Sequence, residues 1–283
     1  MTDGFGLAEA ARWIAVPAAG DDKYSRGVLG VVTGSTRFPG AAVLGTEGAA
    51  RTGVGMIRYL GPDRAADLVL RRRPEVVTAD GRVQAWLMGS GMPPERSDAE
   101  RDDLVARLRQ GLPTVLDAGV LDLLPEATGP SVVVPHFGEL VAVLRTAGVD
   151  ADKGAIAAEP ERWAVRAAAE TGTTVLLKGA TTYVADPSGL RHRVQAGPAW
   201  LATAGSGDVL GGVLGALLAT HADAIDDDPG VVADLAAAAA ALHGEAGRTA
   251  AVGCPGPGSG APIAALDIAE ALPAVIRRLL AGA

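Results

Sequence analysis

One segment of the chain reads Thr203-Ala204-Gly205-Ser206-Gly207-Asp208-Val209-Leu210, so that two glycines and a serine precede an acid. The acid opens an apolar run over 209–219 that predicts a helix. Small residues let backbone N–H groups approach an anion closely, and the helix directs the positive end of its dipole at the same spot. Asp208 does not attract a phosphate, since like charges repel, so it is interpreted as a base for a hydroxyl group or as a metal contact. The segment predicts a site where a phosphoryl group meets an acceptor hydroxyl.

The same residues also suit an ordinary helix-capping turn. Ser and Asp are common N-cap residues, because their side-chain oxygens accept hydrogen bonds from the first free N–H groups of a helix. Taken alone, the segment leaves both interpretations open, and the rest of the chain has to separate them.

The composition is that of a globular protein. Of the 283 residues, 48% are hydrophobic and 20% are charged, which is enough apolar material for one large α/β unit. The net charge is −8, and no basic stripe interleaved with aromatic residues occurs, so nucleic acid is not an expected partner. The basic cluster Arg71-Arg72-Arg73 stands at the end of a predicted helix, where cations suit the helix dipole.

No targeting or membrane segment is recognised in the sequence. The N-terminus lacks a basic-then-apolar signal, and the alanine-rich run near 233–242 is too short and too weakly hydrophobic to span a bilayer. The one cysteine, Cys254, excludes an internal disulfide, and its Pro/Gly-rich loop offers no His partner for catalysis. We expect a cytoplasmic protein without a membrane partner.

Strand-like and helix-like runs alternate along most of the chain. The predicted strands are short and rich in Val, Ile and Leu, which is typical of a parallel sheet covered by helices on both faces. After Lys178 the pattern changes to a hairpin with a turn at Pro187-Ser188-Gly189. Strands are predicted at 27–33, 56–60, 85–88, 114–117, 131–134 and 174–177, the hairpin at 182–185 and 190–194, and helices at 40–51, 65–72, 95–110, 137–144, 160–170, 206–220, 231–250 and 265–281.

Polar and glycine-rich motifs follow the predicted strands. In open α/β sheets, ligands bind beyond the carboxyl ends of the strands. A concentration of such motifs at one edge favours a phosphate site over a simple cap. The motifs are Gly34-Ser35, Gly89-Ser90-Gly91, Asp117, Pro135-His136 and Lys178-Gly179.

These motifs together resemble the ADP-dependent NAD(P)H-hydrate dehydratases, a branch of the ribokinase-like superfamily. The resemblance runs from about Lys23 to the C-terminus. It implies an α/β fold, a ribokinase-like three-layer αβα sandwich with a central, mostly parallel sheet. The expected domain covers 23–283 and follows an N-terminal extension over 1–22. The matching stretches are Gly34-Ser35 to Pro39-Gly40-Ala41, Gly89-Ser90-Gly91, Pro135-His136-Phe137-Gly138-Glu139, Lys178-Gly179-Ala180-Thr181-Thr182 and 201–208.

The chain departs from the family pattern at a few positions. Pro198 follows Gly197 where many relatives have Gly-Asn, Val134 precedes the Pro-His pair where Thr is usual, and Phe38 stands where Tyr is common. Many relatives also carry an N-terminal epimerase domain, for which this chain is too short. We therefore expect a separate NAD(P)H-hydrate epimerase to act on the same metabolite.

The resemblance implies a repair reaction on a damaged cofactor. In NADH hydrate and NADPH hydrate, water has added across the 5,6 double bond of the nicotinamide ring and left a hydroxyl at C6. ADP donates its β-phosphoryl group to this hydroxyl, and the products are NAD(P)H, AMP and phosphate. The expected ligands are the two hydrates, ADP (with ATP left open) and Mg²⁺, and the resemblance suggests a homotetramer.

The resemblance also assigns roles by position. Asp208 is the candidate catalytic base, and Ala41, Gly91, His136 and Asp208 are expected to contact the hydrate. Glu139, three residues after His136 on one helix face, is expected to place Mg²⁺ through water. The expected nucleotide-binding residues are Lys178, Gly179, Ala180, Thr181, Thr182, Gly205, Ser206 and Gly207.

Several of these residues have purely structural interpretations as well. His136 could cap a helix, and Glu139 could satisfy the helix dipole. Lys178 could be a strand-end lysine whose charge reaches solvent. Ala41 and Gly91 have no chemistry of their own and could be packing residues.

Two other functions fit parts of the sequence. A small-molecule kinase such as hydroxyethylthiazole kinase would share the glycine loop and Asp208, but the Pro-His-x-Gly-Glu and Lys-Gly-x-x-Thr stretches favour the dehydratase. A non-catalytic nucleotide sensor on the same fold would be expected to lose Asp208, which this chain keeps.

Overall fold

Eight strands form one sheet in the computed structural model, which describes residues 4–195, 197–251 and 260–282. The strands are β1 (Val28–Val32), β2 (Met56–Tyr59), β3 (Ala85–Met88), β4 (Thr114–Leu116), β5 (Ser131–Val133), β6 (Thr174–Leu177), β7 (Thr181–Asp186) and β8 (Gly189–Gln195). They lie in the order β2-β1-β3-β4-β5-β6-β7-β8. Strands β1 to β6 are parallel, and β7 and β8 complete the sheet as an antiparallel hairpin. Cys254 lies outside the described residues.

Helices cover both faces of the sheet. They are α1 (Leu7–Ala11), α2 (Gly40–Thr52), α3 (Asp63–Arg72), α4 (Asp98–Leu108), α5 (Phe137–Thr146), α6 (Lys153–Ala158), α7 (Pro160–Thr171), α8 (Ser206–Thr220), α9 (Ala222–Asp227), α10 (Val231–Ala250) and α11 (Ala265–Ala281). Two 3₁₀ segments, Ala118–Glu126 and Ala199–Leu201, lie in the connections.

The predicted strands and long helices are confirmed, with small differences at their ends. Helix α4 begins at Asp98 rather than at 95, because Ser97 and Glu100 form a capping box in which each side chain accepts a hydrogen bond from the other residue's N–H group. Helices α1, α6 and α9 were not predicted. They are only 5 or 6 residues long, so no helical period can build up in their sequences.

Side chains that alternate along the strands belong to two separate hydrophobic cores, one on each face of the sheet. Val115 and Leu176 belong to the core that contains residues of α1–α3 and α8–α11. Their neighbours Leu116 and Leu177 belong to the opposite core, with residues of α4–α7. Successive side chains of a strand point to opposite faces, so the sheet is buried on both sides. This arrangement confirms the three-layer αβα sandwich.

Helices α2 and α8 pack backbone to backbone. A Cβ atom built on Gly212 would lie 2.0 Å from the carbonyl oxygen of Gly45, and one built on Gly48 would lie 2.4 Å from that of Val209. No side chain fits between atoms at these distances. The glycines therefore set the position of α8, including its N-terminus, relative to the sheet.

A buried carboxylate ties α2 to α3. The side chain of Glu47 is fully buried and accepts hydrogen bonds from the Nε atoms of Arg51 at 2.8 Å, Arg72 at 3.0 Å and Arg73 at 2.6 Å. Burial opposes ionisation, but the hydrogen bonds from Arg73 and Arg51 and the charge of Arg72 outweigh it and lower the pKa of Glu47 to about 2. Two members of the basic cluster are thus partners of Glu47, which the helix-dipole interpretation did not anticipate.

The N-terminal residues pack on the sheet edge. Phe5 is buried, its N–H group donates to the carbonyl oxygen of Arg193 at 3.0 Å, and its ring meets that of His192 edge-on with centroids 4.7 Å apart. The division into an extension over 1–22 and a domain over 23–283 stays a prediction. Within the described ranges, no helix combines the length and apolar character needed to cross a bilayer.

The glycine contacts predict a stability effect. Gly212→Ala and Gly48→Ala should each lower the free energy of unfolding by about 1–3 kcal/mol, because the new methyl group forces α2 and α8 apart. Chemical denaturation measures the loss. Gly40→Ala in the first turn of α2 is the matched control, since nothing lies within 4 Å of its Cβ position. Equal losses in the control and in Gly212→Ala would contradict the close packing.

The Glu47 cluster predicts a pH effect. The pKa of Glu47 is lowered from 4.5 to about 2, so its contribution of about 3 kcal/mol is fully present above pH 4.5 and is lost as the pH falls towards 2. The difference in unfolding free energy between the parent and Glu47→Gln should therefore shrink below pH 4.5 in urea titrations. Glu75→Gln, which removes an exposed partner of Arg73, should show little change at any pH.

Candidate active site

Polar side chains meet at the carboxyl edge of the sheet, beside the N-terminus of α8. Val115 and Leu176 face the α8 side, so Asp117 and Lys178, two positions further along, point to the same side. The Nζ atom of Lys178 lies 3.2 Å from Oδ1 of Asp117. The strand ends therefore bring together residues 61 positions apart in the chain.

Lys178 is the positive centre of this site. Its Nζ atom also lies 3.6 Å from Oε2 of Glu139, and a Cβ atom built on Gly207 would lie 3.5 Å from it. Burial favours the neutral amine, but the charges of Asp117 and Glu139 outweigh burial and raise the pKa of Lys178. The ammonium group thus stays charged against the first turn of α8.

Asp208 lies in the first turn of α8 and is joined to the cluster through Ser90. The Ser90 hydroxyl donates a hydrogen bond to Oδ1 of Asp208 and lies 3.3 Å from Oδ2 of Asp117. Burial is the largest influence on both carboxyl groups, and it raises the pKa of Asp208 and of Asp117, with Lys178 opposing. A carboxylate with a raised pKa beside an anion-binding turn is suited to accept a proton.

His136 and Glu139 form the N-terminal cap of α5. Nδ1 of His136 accepts hydrogen bonds from the N–H groups of Gly138 and Glu139, both at 3.0 Å. Oε2 of Glu139 accepts one from the N–H group of His136 at 2.8 Å. The capping interpretation of His136 is therefore confirmed. Because the cap uses Nδ1 and the ring is exposed, Nε2 can still reach a ligand.

The turn before α8 presents N–H groups at the same place. Gly205 is the N-cap and has a left-handed φ of 88°, which favours glycine, and a Cβ atom there would lie 2.3 Å from Cδ1 of Leu44. The N–H group of Ser206 donates to the carbonyl oxygen of Thr203 at 3.3 Å. The N–H group of Gly207 has no acceptor among the described residues. Gly207 is thus the better placed donor for a phosphate oxygen.

His243 of α10 was not among the predicted site residues, yet it supports this turn. Its Nε2 atom lies 3.0 Å from the carbonyl oxygen and 3.2 Å from Oγ of Ser206, and both side chains are buried. A carbonyl oxygen only accepts, so Nε2 carries the proton. Burial lowers the pKa of His243 to about 4, which keeps the ring neutral. In the sequence, Leu242-His243-Gly244 resembles the family pattern, but that match assigned His243 no role.

The remaining predicted residues surround this centre. A Cβ atom on Gly91 would lie 2.4 Å from Cβ of Ala41, so the two residues are in contact and both have to be small. Gly179 lies against the ring of Phe137, with 3.3 Å from its Cβ position to Cζ. In the turn into β7, Ala180 is exposed and Thr181 is half-buried, whereas Thr182 is buried in the sheet. Thr182 is therefore the least accessible of the predicted nucleotide contacts.

Strained backbone stands next to Asp117. Ala118 has a φ of 44°, a left-handed value that is rare for a residue with a side chain. Gly89, at the end of β3, has a φ of 103°, and a Cβ atom there would lie 2.0 Å from the carbonyl oxygen of Asp117. Such conformations persist where surrounding contacts enforce them, and they concentrate at functional sites.

The described residues contain no group of three or more His, Cys, Asp or Glu side chains placed to hold a metal ion. Glu139 uses Oε2 for its contacts with Lys178 and with the N–H group of His136. Its second oxygen is a suitable donor for a water molecule of a hydrated Mg²⁺ ion. The donor set thus fits magnesium that arrives with a nucleotide.

Comparison with known sequences agrees with this geometry. The sequence model of the NAD(P)H-hydrate dehydratase family matches residues 29–254. A bifunctional NAD(P)H-hydrate repair enzyme, Nnr, of Mycobacterium tuberculosis is 42% identical over 224 residues, which are 75% of this chain and 44% of that protein. An ADP-dependent (S)-NAD(P)H-hydrate dehydratase of Xanthomonas campestris is 32% identical over 242 residues, which are 77% of this chain and 81% of that protein. The chain spans less than half the length of the bifunctional relatives.

Solved structures share the fold over nearly the whole chain. The ADP/ATP-dependent NAD(P)H-hydrate dehydratase of Bacillus subtilis, co-crystallised with ATP and Mg²⁺, superposes with a TM-score of 0.82 at 25% identity and covers 99% of this chain and 100% of its own. Hydroxyethylthiazole kinase from Pyrococcus horikoshii OT3 is similar in fold alone, with a TM-score of 0.62 at 20% identity over 96% of this chain and 95% of its own. By the family match and the shared fold, this chain belongs to the NAD(P)H-hydrate dehydratase family.

Proposed function

We propose that this protein catalyses the ADP-dependent dehydration of (6S)-NAD(P)H hydrate to NAD(P)H, with release of AMP and phosphate. The observation that carries the proposal is that Asp208 lies in the same helix turn as Gly207, whose N–H group has no acceptor among the described residues, with the Lys178 ammonium beside that turn. The similarity to the ADP-dependent (S)-NAD(P)H-hydrate dehydratase of Xanthomonas campestris supports the assignment.

Asp208 acts as the general base in this proposal. The C6 hydroxyl of the hydrate loses its proton to Asp208 while its oxygen bonds to the β-phosphorus of ADP, and the bond from that phosphorus to the AMP oxygen breaks. The C6–O bond then breaks, and phosphate leaves with its electron pair while the lone pair of the ring nitrogen forms a C=N bond to C6. Loss of a proton from C5 to water restores the 5,6 double bond and gives NAD(P)H. A positioned general base contributes roughly 10²- to 10⁴-fold in rate.

The turn before α8 holds the phosphates. The N–H groups of Gly205 and Gly207, the dipole of α8 and the charge of Lys178 all act on the same place, and phosphoryl transfer depends chiefly on such positioning. Ser206 contributes by holding the turn through His243 and less as a donor. Residues 178–182 form the expected wall for the nucleotide, with Gly179, Ala180 and Thr181 as its accessible part.

Magnesium, when bound with the nucleotide, supplies positive charge to the phosphate oxygens. Glu139 would hold it through water, since its carboxylate already lies beside Lys178. Ala41 and Gly91 would leave room for the hydrate, and Nε2 of His136 would donate to it. An NAD(P)H-hydrate epimerase acting on the same metabolite and a homotetrameric assembly remain part of the proposal.

The overall reaction is tested by mixing hydrated NADH with the protein, ADP and Mg²⁺. We expect the near-ultraviolet absorbance of NADH to return, with one AMP formed per NADH. ATP in place of ADP tests the donor, and NADPH hydrate tests the substrate. A stable phosphorylated product from a thiazole alcohol and ATP, without AMP release on hydrated NADH, would instead assign a small-molecule kinase.

Asp208→Asn should lower turnover roughly 10²-fold or more, because the amide cannot accept the hydroxyl proton. ADP binding measured by calorimetry should change little, since Asp208 does not attract phosphate. Asp223→Asn is the matched control, because Asp223 is an exposed first-turn carboxylate of α9 at the far end of α8. Near-parental rates in Asp208→Asn would remove Asp208 from the mechanism.

Lys178→Met should weaken ADP binding by about tenfold or more, because a charged donor to the phosphates is lost. Calorimetric titration with and without Mg²⁺ measures the loss. The exposed Lys153, at the start of α6, provides the control Lys153→Met, which should bind ADP as the parent does. Unchanged binding in Lys178→Met would mean that the lysine only balances Asp117 and Glu139.

A further inference from the structure

Ser90 lies between the carboxyl groups of Asp208 and Asp117. Its side chain is 2% exposed and contacts Oδ1 of Asp208 and Oδ2 of Asp117, which lie on α8 and at the end of β4. The chain separation from Ser90 to Asp208 is 118 residues, so only the tertiary fold creates this contact.

The backbone holds Ser90 firmly in place. Its carbonyl oxygen accepts a hydrogen bond from the N–H group of Gly34 at 2.6 Å, which joins the loops after β1 and β3. Gly89 before it packs against the carbonyl oxygen of Asp117, and Gly91 after it packs against Ala41. The backbone on both sides of Ser90 is therefore closely packed, and its hydroxyl is placed in contact with both carboxyl groups.

The proton count limits what this hydroxyl can do. A serine hydroxyl has one proton to donate and can accept hydrogen bonds from others, whereas an ionised carboxylate only accepts. While Asp208 is ionised, Ser90 donates to it. Once Asp208 carries a proton, it becomes the donor, and the Ser90 proton can rotate towards Asp117, whose charge is balanced by Lys178.

We propose that Ser90 is a positioning residue for Asp208, which holds the carboxylate in both of its protonation states by reversing the direction of one hydrogen bond. This inference rests on the proposed function, in which Asp208 takes the proton of the hydrate hydroxyl. In that step the hydroxyl O–H bond breaks and a proton binds Asp208. At Ser90 no covalent bond changes, and only the orientation of its O–H group is altered.

Other charged groups also shift the pKa of Asp208. Asp117 at the end of β4 and Glu139 on α5 raise the pKa of Asp208, and Lys178 at the end of β6 lowers it, as does the hydrogen bond from Ser90. His243 on α10 is neutral and faces the Ser206 turn. Loss of the Ser90 hydroxyl removes one influence that favours the ionised base, while the others stay in place.

The test is Ser90→Ala, assayed by AMP release from ADP in the presence of NADH hydrate. We expect kcat to fall about tenfold or more, as for loss of a hydrogen bond to a charged group, with ADP affinity within about twofold of the parent. The acid limb of the pH profile should move to higher pH. A near-parental kcat and pH profile in Ser90→Ala would overturn the proposal.

Ser131→Ala is the matched control. Ser131 is also buried, and its hydroxyl donates to the carbonyl oxygen of Gly129 at 3.0 Å, but it starts β5 at the opposite edge of the sheet. It should lower thermal stability without moving the pH profile. A shifted profile in this control would show that general loosening, and not Ser90, causes the effect.

If Ser90→Ala is inactive, the pKa of Asp208 can still be measured directly, because an NMR titration does not depend on turnover. Carboxyl ¹³C NMR titration, with the Asp208 signal assigned by its loss in Asp208→Asn, should show a higher pKa of Asp208 in Ser90→Ala than in the parent. Ser90→Cys, which keeps a weak donor, should lie between the two. An unchanged Asp208 titration in Ser90→Ala contradicts the inference, whereas absence of hydrate-dependent AMP release in the parent contradicts the proposed function itself.

Discussion

The charge balance around Lys178 is the interaction on which the rest of the site depends. Its ammonium group contacts Asp117 and Glu139, and Asp208 joins the same cluster through Ser90. Without the lysine, each of these three carboxyl groups would disfavour ionisation of the other two, because like charges repel strongly where there is little water. Because the lysine offsets only one of the three charges, the site needs further positive potential when a polyphosphate enters. The dipole of α8 and a cation that travels with the nucleotide supply it under the proposed function.

Close backbone packing holds the N-terminus of α8, with its positive potential, beside the side chains around Lys178. Gly45, Gly48 and Gly212 bring α2 and α8 together, and Gly205 lets the chain turn into α8 directly against Leu44. The first turn of α8 therefore meets the lysine at the end of β6. These glycines set the distances between backbones, and they bring N–H groups, a carboxylate and an ammonium group close together.

Structural and functional interpretations of a residue need not exclude each other. His136 is a helix cap through Nδ1, and its exposed ring keeps Nε2 for other partners. Glu139 completes the cap and also lies beside Lys178. Ser206, predicted as a phosphate contact, directs its side chain inwards to His243 and stabilises the turn that carries its neighbours. Different atoms of one residue can serve different purposes.

The sequence by itself determined the layer architecture, the strand positions and the edge of the sheet at which the candidate residues lie. Those features follow from short-range patterns, namely the spacing of apolar residues and the motifs after each strand. Only the tertiary structure decided which atoms meet. Glu47 contacts Arg73, which is 26 positions away in the sequence, and His243 contacts Ser206, which is 37 positions away. Ser90 contacts Asp208 across a separation of 118 positions. Such contacts depend on strand order and on how closely helices pack, and local periodicity contains no information about either.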